Sequence, residues 1–178
     1  MTEEKGRHHL RSLPPSRRTA LLGILSALAL VLSFLEGFLP VLPVPGAKLG
    51  LSNVVTMYAL SSLGLPAALA VAVVKGVFAL LRGGTACLMS LAGGLCSTLL
   101  MALVFPLEGR AMSFVGVGVT GAVGHNAAQM GMAMLLVDPS LLYYAPWLLL
   151  MALTAGLLTG MTLNILMPAL SQAAERLR

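Results

Sequence analysis

The side chains able to do chemistry are few, and most of them sit inside apolar sequence. Lys75 lies mid-run in Ala70-Val71-Ala72-Val73-Val74-Lys75-Gly76-Val77-Phe78, with about seven residues of that run on either side. A lysine there cannot easily snorkel, and a charge within a membrane span needs a partner or a polar cavity. Arg82 follows at i+7, on the same face of a continuous helix. His125 and Gln129 are i,i+4 neighbours with Asn126 beside them. Two readings stay open for that trio: hydrogen bonds between helices, or, together with Lys75 and Arg82, the lining of a pocket for a polar or anionic small molecule. Lys48 and Asn53 are expected at the lid-side edge of such a pocket, and Tyr58 and Asn164 carry less weight. Glu36 and Lys48 flank a segment with Pro40, Pro43 and Pro45, where snorkelling at the interface is the competing reading for both.

Enzyme chemistry is mostly absent. The chain has one aspartate, Asp138, so an Asp-rich site for Mg²⁺ and a diphosphate cannot be assembled. No phosphate loop of the form G-x-x-x-x-G-K occurs, so ATP hydrolysis would need another subunit. His8 and His9 have no neighbours that complete a metal ligand set, and a single histidine within apolar sequence is a poor basis for haem ligation. Cys87 and Cys96, nine residues apart on one run, would lie about 13 Å apart along a helix, too far for a disulfide. The methionines scatter through apolar runs and fill gaps. The expectation is a chain that is not an enzyme, with no metal and no cofactor of its own.

The elements that must position these residues follow from composition. Of 178 residues 58% are hydrophobic and only 10% charged, with a mean hydropathy of +0.94. Soluble domains carry about 25% charged residues, so this surface faces membrane lipid. A span takes about 20 apolar residues. The breaks by proline and glycine divide the chain into six: about Thr19–Leu39, Leu49–Leu63, Pro66–Leu81, Thr85–Phe105, Met112–Val137 and Tyr143–Leu166. The second is short for a full crossing unless it is tilted or partly unwound. The fold class expected is all-α, an integral membrane bundle of six transmembrane helices spanning residues 19–170. A basic cytoplasmic tail (1–18) precedes it and a polar cytoplasmic end (171–178) follows.

Net charge is +5, but no basic stripe with interleaved aromatic residues is present, so nucleic acid is not an expected partner. The charges read as topology signals. With six spans, eight of the eleven Lys/Arg fall on the side of the two termini, which places both termini in the cytoplasm and the 40–48 loop, the Arg82 turn and the Asp138 loop outside. Tyr143, Tyr144 and Trp147 suit an outer aromatic belt. Ala20, Gly23 and Ala27 recur at helical spacing, which allows close approach of another helix, whether within the bundle or from a partner subunit.

Three stretches carry a resemblance: Pro45-Gly46-Ala47-Lys48-Leu49-Gly50-Leu51-Ser52-Asn53-Val54-Val55-Thr56, Ser90-Leu91-Ala92-Gly93-Gly94, and Gly121-Ala122-Val123-Gly124-His125-Asn126-Ala127-Ala128-Gln129. In this order they resemble the Gx transporter family, also labelled heptaprenyl diphosphate synthase component I, over nearly all of the chain after the basic tail. That family looks related to the substrate-binding S components of energy-coupling factor (ECF) transporters. The resemblance implies a six-helix protein of the cell membrane that holds a vitamin or similar small molecule near the outer face. It also implies docking on a transmembrane T subunit driven by ATPases, with Ala20, Gly23 and Ala27 at the contact. Lys75 stands where the resemblance leads one to expect arginine, and a lysine lacks the bidentate fork of a guanidinium. The second label implies an alternative: a non-catalytic membrane subunit of an isoprenoid, quinone or flavin-based electron-transfer system.

Overall fold

The computed structural model describes residues 14–36, 50–109 and 111–176, with side chains as far as residue 169. Lys48 and the prolines at 40, 43 and 45 lie outside the described residues. The described chain is all-α, with six helices in chain order: α1 (Pro15–Glu36), α2 (Leu51–Leu63), α3 (Leu65–Phe78), α4 (Gly84–Val104), α5 (Phe114–Leu136) and α6 (Ala145–Arg176). Short 3-10 turns, Ala79–Arg82, Phe105–Leu107 and Pro139–Tyr144, extend α3 and α4 and lead into α6.

Among the described residues, four helical segments are long and apolar enough to cross a membrane: Pro15–Glu36, Leu65–Arg82, Gly84–Leu107 and Pro139–Ala169. The expectation of six such spans is therefore met in part, and each of the other two helices departs for a physical reason. Helix α2 has 13 residues, about 20 Å at 1.5 Å per residue, against a hydrocarbon core of about 30 Å. It is an interior helix: apart from Leu51 and Tyr58 its residues are all buried. Helix α5 has 23 residues, but His125, Asn126, Gln129 and its glycines dilute its hydropathy. It can carry them because it packs between α4 and α6, its polar trio buried.

Helix α1 begins at Pro15, earlier than Thr19, since proline is pre-organised for a first helical turn. It therefore takes in Arg18, whose Nη2 donates to the Leu63 carbonyl at 3.5 Å. At its other end Glu36 accepts from the Leu51 amide and, at 3.4 Å, from the Ser52 hydroxyl. Arg18 and Glu36, two of the three charged residues of α1, thus clamp both ends of α2. Each has the sign that complements the helix dipole, the cation at the C-terminus and the carboxylate at the N-terminus.

Close backbone approach sets the geometry of α5 on α6. A Cβ at Gly118 would lie 2.7 Å from the Gly156 carbonyl oxygen, and one at Gly156 would lie 2.5 Å from Val119 Cα. Gly160 likewise sits against Val115. Gly156-Leu157-Leu158-Thr159-Gly160 is a G-x-x-x-G pattern of the kind that brings membrane helices together. Pro168 lies inside α6, which continues to Arg176 past the expected boundary at 170.

Candidate functional site

The polar side chains converge where α1 ends and α2 begins. Gly50 starts α2 with φ of 77°, a left-handed conformation in which a side chain would be strained. Its carbonyl accepts from the Asn53 amide at 2.8 Å and from the Thr159 hydroxyl of α6 at 3.4 Å. This turn aims Ser52 and Asn53 at α3. There Lys75, only 4% exposed, donates from Nζ to Asn53 Oδ1 at 2.8 Å and to Ser52 Oγ at 3.3 Å. Ser52 in turn donates to Glu36, so a carboxylate and an ammonium share one hydroxyl. A buried charge is costly unless paired and hydrogen-bonded, and this chain of contacts meets both needs.

Glu36 is where the sequence reading needs correction. It is 5% exposed, so it does not snorkel at the interface. Its position beside three prolines made it resemble a boundary residue. The chain instead returns, and the α2 N-terminus provides donors for the carboxylate.

Across from Lys75, α5 contributes His125 and Asn126, and α4 contributes Ser90. Together with Ser33, Glu36, Gly50, Ser52, Asn53, Ala122 and Ala155 they line a cavity of about 20 Å³. That is room for about one water. Gly93 explains how the α5 trio is accommodated. A Cβ there would lie 2.9 Å from both Gln129 Cγ and His125 Cε1. Of the three motif stretches, the first therefore builds the α2 turn and the second clears space for the third.

Asn53, Lys75, His125 and Asn126 are thus brought around one cavity. Gln129 is buried beside His125 but does not line it. Arg82 is not brought in. The i+7 relation to Lys75 assumes continuous α-helix, whereas 3-10 geometry begins at Ala79 and leaves Arg82 exposed. Lys48 lies outside the described residues. Ala20, Gly23 and Ala27 form an exposed stripe on α1, and a Cβ at Gly23 would meet nothing within 4 Å. Asn164 is exposed and Tyr58 half-buried, neither of them at the cavity. Cys87 and Cys96 are free thiols. Among the described residues no group of three His, Cys, Asp or Glu is placed to hold a metal.

Comparison with known proteins adds one finding. Residues 25–166 match the family described as heptaprenyl diphosphate synthase component I. The chain belongs to this family. No curated protein and no solved structure matches the chain. The matched stretch begins within α1 and ends within α6, and so takes in Glu36, Lys75 and the α5 trio.

Proposed function

We propose that this member of the heptaprenyl diphosphate synthase component I family is a substrate-binding membrane transport protein, resembling the S component of an ECF-type transporter. The observation that carries the reading is the Glu36–Ser52–Lys75–Asn53 chain, buried among helices and facing His125 and Asn126. Lys75 donates, Glu36 accepts, and His125 and Asn126 add directional hydrogen bonds. Glu36 and Lys75 carry opposite formal charges and balance each other. A doubly anionic group would therefore enter with its charge uncompensated, which favours a neutral or zwitterionic polar group over a phosphate.

The rest of the reading follows from this assignment. The protein sits in the cell membrane with both termini cytoplasmic and the site in the outer half of the bundle. Ala20, Gly23 and Ala27 face away from the bundle on α1, where a T subunit driven by ATPases would dock. Arg82 would act at the rim, guiding the molecule in without contacting it in the cavity. The family's description favours one second reading, a non-catalytic membrane partner of a soluble prenyl synthase. Co-purification of an Asp-rich soluble subunit would speak for it.

Native mass spectrometry of the purified protein tests the first reading. A small molecule is expected on the wild type and lost from both Lys75→Ala and His125→Ala. Retention by both variants at the wild-type level would remove the site assignment.

A further inference from the structure

The polar cavity is too small for any vitamin-sized molecule, but a second and larger space adjoins it. Between α5 and the start of α6 lies a groove of about 630 Å³, within the range of about 300–1,000 Å³ typical of ligand sites. Its walls are apolar: Met130 and Met134 of α5, Leu148 and Leu149 of α6, and Leu142 before α6. Gly131 opens its outer side, since a Cβ there would meet nothing within 4 Å. Among the residues that line the groove Asn126 alone has a polar side chain, and Asn126 also lines the polar cavity.

The partition between the two spaces is thin. Ala122 and Ala155 face the polar cavity, Val123 and Ala152 the groove, and the three alanines form one small buried cluster. Asn126 is 9% exposed, and its side-chain amide makes no hydrogen bond with any described residue. A polar amide set in an otherwise apolar wall fixes the orientation of a ligand that bonds to it. Asn126 sits where a ligand in the groove would meet the charged cluster.

We infer that the ligand is an amphiphile whose apolar body occupies the α5–α6 groove and whose small polar end is received by Asn126 and, behind it, the Glu36–Ser52–Lys75 cluster. This rests on the reading of the cluster as a small-molecule site and names the class of molecule. The body needs no room in the polar cavity, because only the head reaches it. Charge balance in the cluster makes that head neutral or zwitterionic and able both to donate and to accept. A bilayer lipid is the other occupant an apolar groove admits, and its bulky headgroup would not pass the alanine partition.

Photo-crosslinking of the full-length protein in nanodiscs separates these cases. The probe is a diazirine-bearing alkyl chain ending in a primary alcohol, a water-sized neutral head that both donates and accepts, compared with a diazirine-bearing phosphatidylcholine. The alcohol probe is expected to label the segments around Met130–Met134 and Leu148–Leu149. Labelling should fall about tenfold in Asn126→Ala, the scale of one lost hydrogen bond in a buried site. It should fall at least as far in Gly131→Trp, which fills the groove from its open side; should that variant not fold, Ala127→Phe blocks the same space. Equal labelling by the phosphatidylcholine probe, unchanged in Asn126→Ala, would make the groove a lipid crevice and overturn the inference. A co-purifying molecule lost in Lys75→Ala but fully retained in Gly131→Trp would also overturn it, while leaving the polar site standing.

Discussion

Lys75 and Glu36 show how two opposite charges can be kept inside a helical bundle around a shared hydroxyl. Their link runs through Ser52, with Asn53 on the far side of the ammonium. Each charge lowers the cost of burying the other, so single neutralisation should harm the fold more than double neutralisation. Lys75→Met or Glu36→Gln alone is expected to cost about 2–4 kcal/mol, near the cost of breaking a buried pair. The double variant should recover a good part of that loss. Thermal unfolding in detergent measures the cycle, and strictly additive losses would show that the two charges do not interact. Of this cluster Lys75, Asn53, His125 and Asn126 were legible in the sequence, because a polar side chain in an apolar run has few explanations. Glu36 was not. Its partner donors belong to a helix that starts after a proline-rich stretch, and spacing along the chain does not reveal that return.

At the scale of the helix, glycine does more than composition suggests. Gly118, Gly156 and Gly160 put the backbones of α5 and α6 in contact, and the same two helices bound the groove a few turns away. Gly160→Leu should therefore force α5 and α6 apart, costing about 1–3 kcal/mol as an overpacked site does. Gly131→Ala, where a Cβ meets nothing, should be neutral or gain up to about 1 kcal/mol of helix propensity. Parallel unfolding curves for the two variants check this, and equal losses would mean that close approach is not what holds the pair. The α5–α6 contact was open to view in the G-x-x-x-G pattern, yet the sequence reading gave its weight to the small residues of α1. Those residues, Ala20, Gly23 and Ala27, turn out to face away from the bundle. Spacing identifies a small-residue face but not which helix, if any, covers it. Arg82 carries a similar lesson, since a change from α to 3-10 geometry moves a residue off a predicted face without altering the count between them.

For the whole molecule, the question is how many times the chain crosses the membrane, and α2 decides it. Five of the six helices are long enough to cross, counting α3 with its 3-10 extension, while α2 with 13 residues falls short. If α2 did not count, the termini would lie on opposite sides. The hydrogen bonds argue that it does count. Glu36, at the end of α1, holds the start of α2, and Arg18, near the start of α1, reaches the end of α2. A helix held at both ends by a neighbour long and apolar enough to cross a membrane would return the chain to the side it came from. The long side chains of Arg18 and Glu36 bridge the difference in length. Six passages, as proposed above, would put the termini together, and the excess of Lys and Arg near them would place that side in the cytoplasm. A green fluorescent protein fused to either terminus should therefore fluoresce in cells. With Cys87 and Cys96 replaced by alanine, Ser140→Cys in the loop before α6 should react with a membrane-impermeant maleimide from outside intact cells. Fluorescence from one terminal fusion but not the other would show that α2 fails to return the chain, and a dark N-terminal fusion would put the polar cluster, at the end of α1, on the opposite membrane face from the one a solute-capturing site requires.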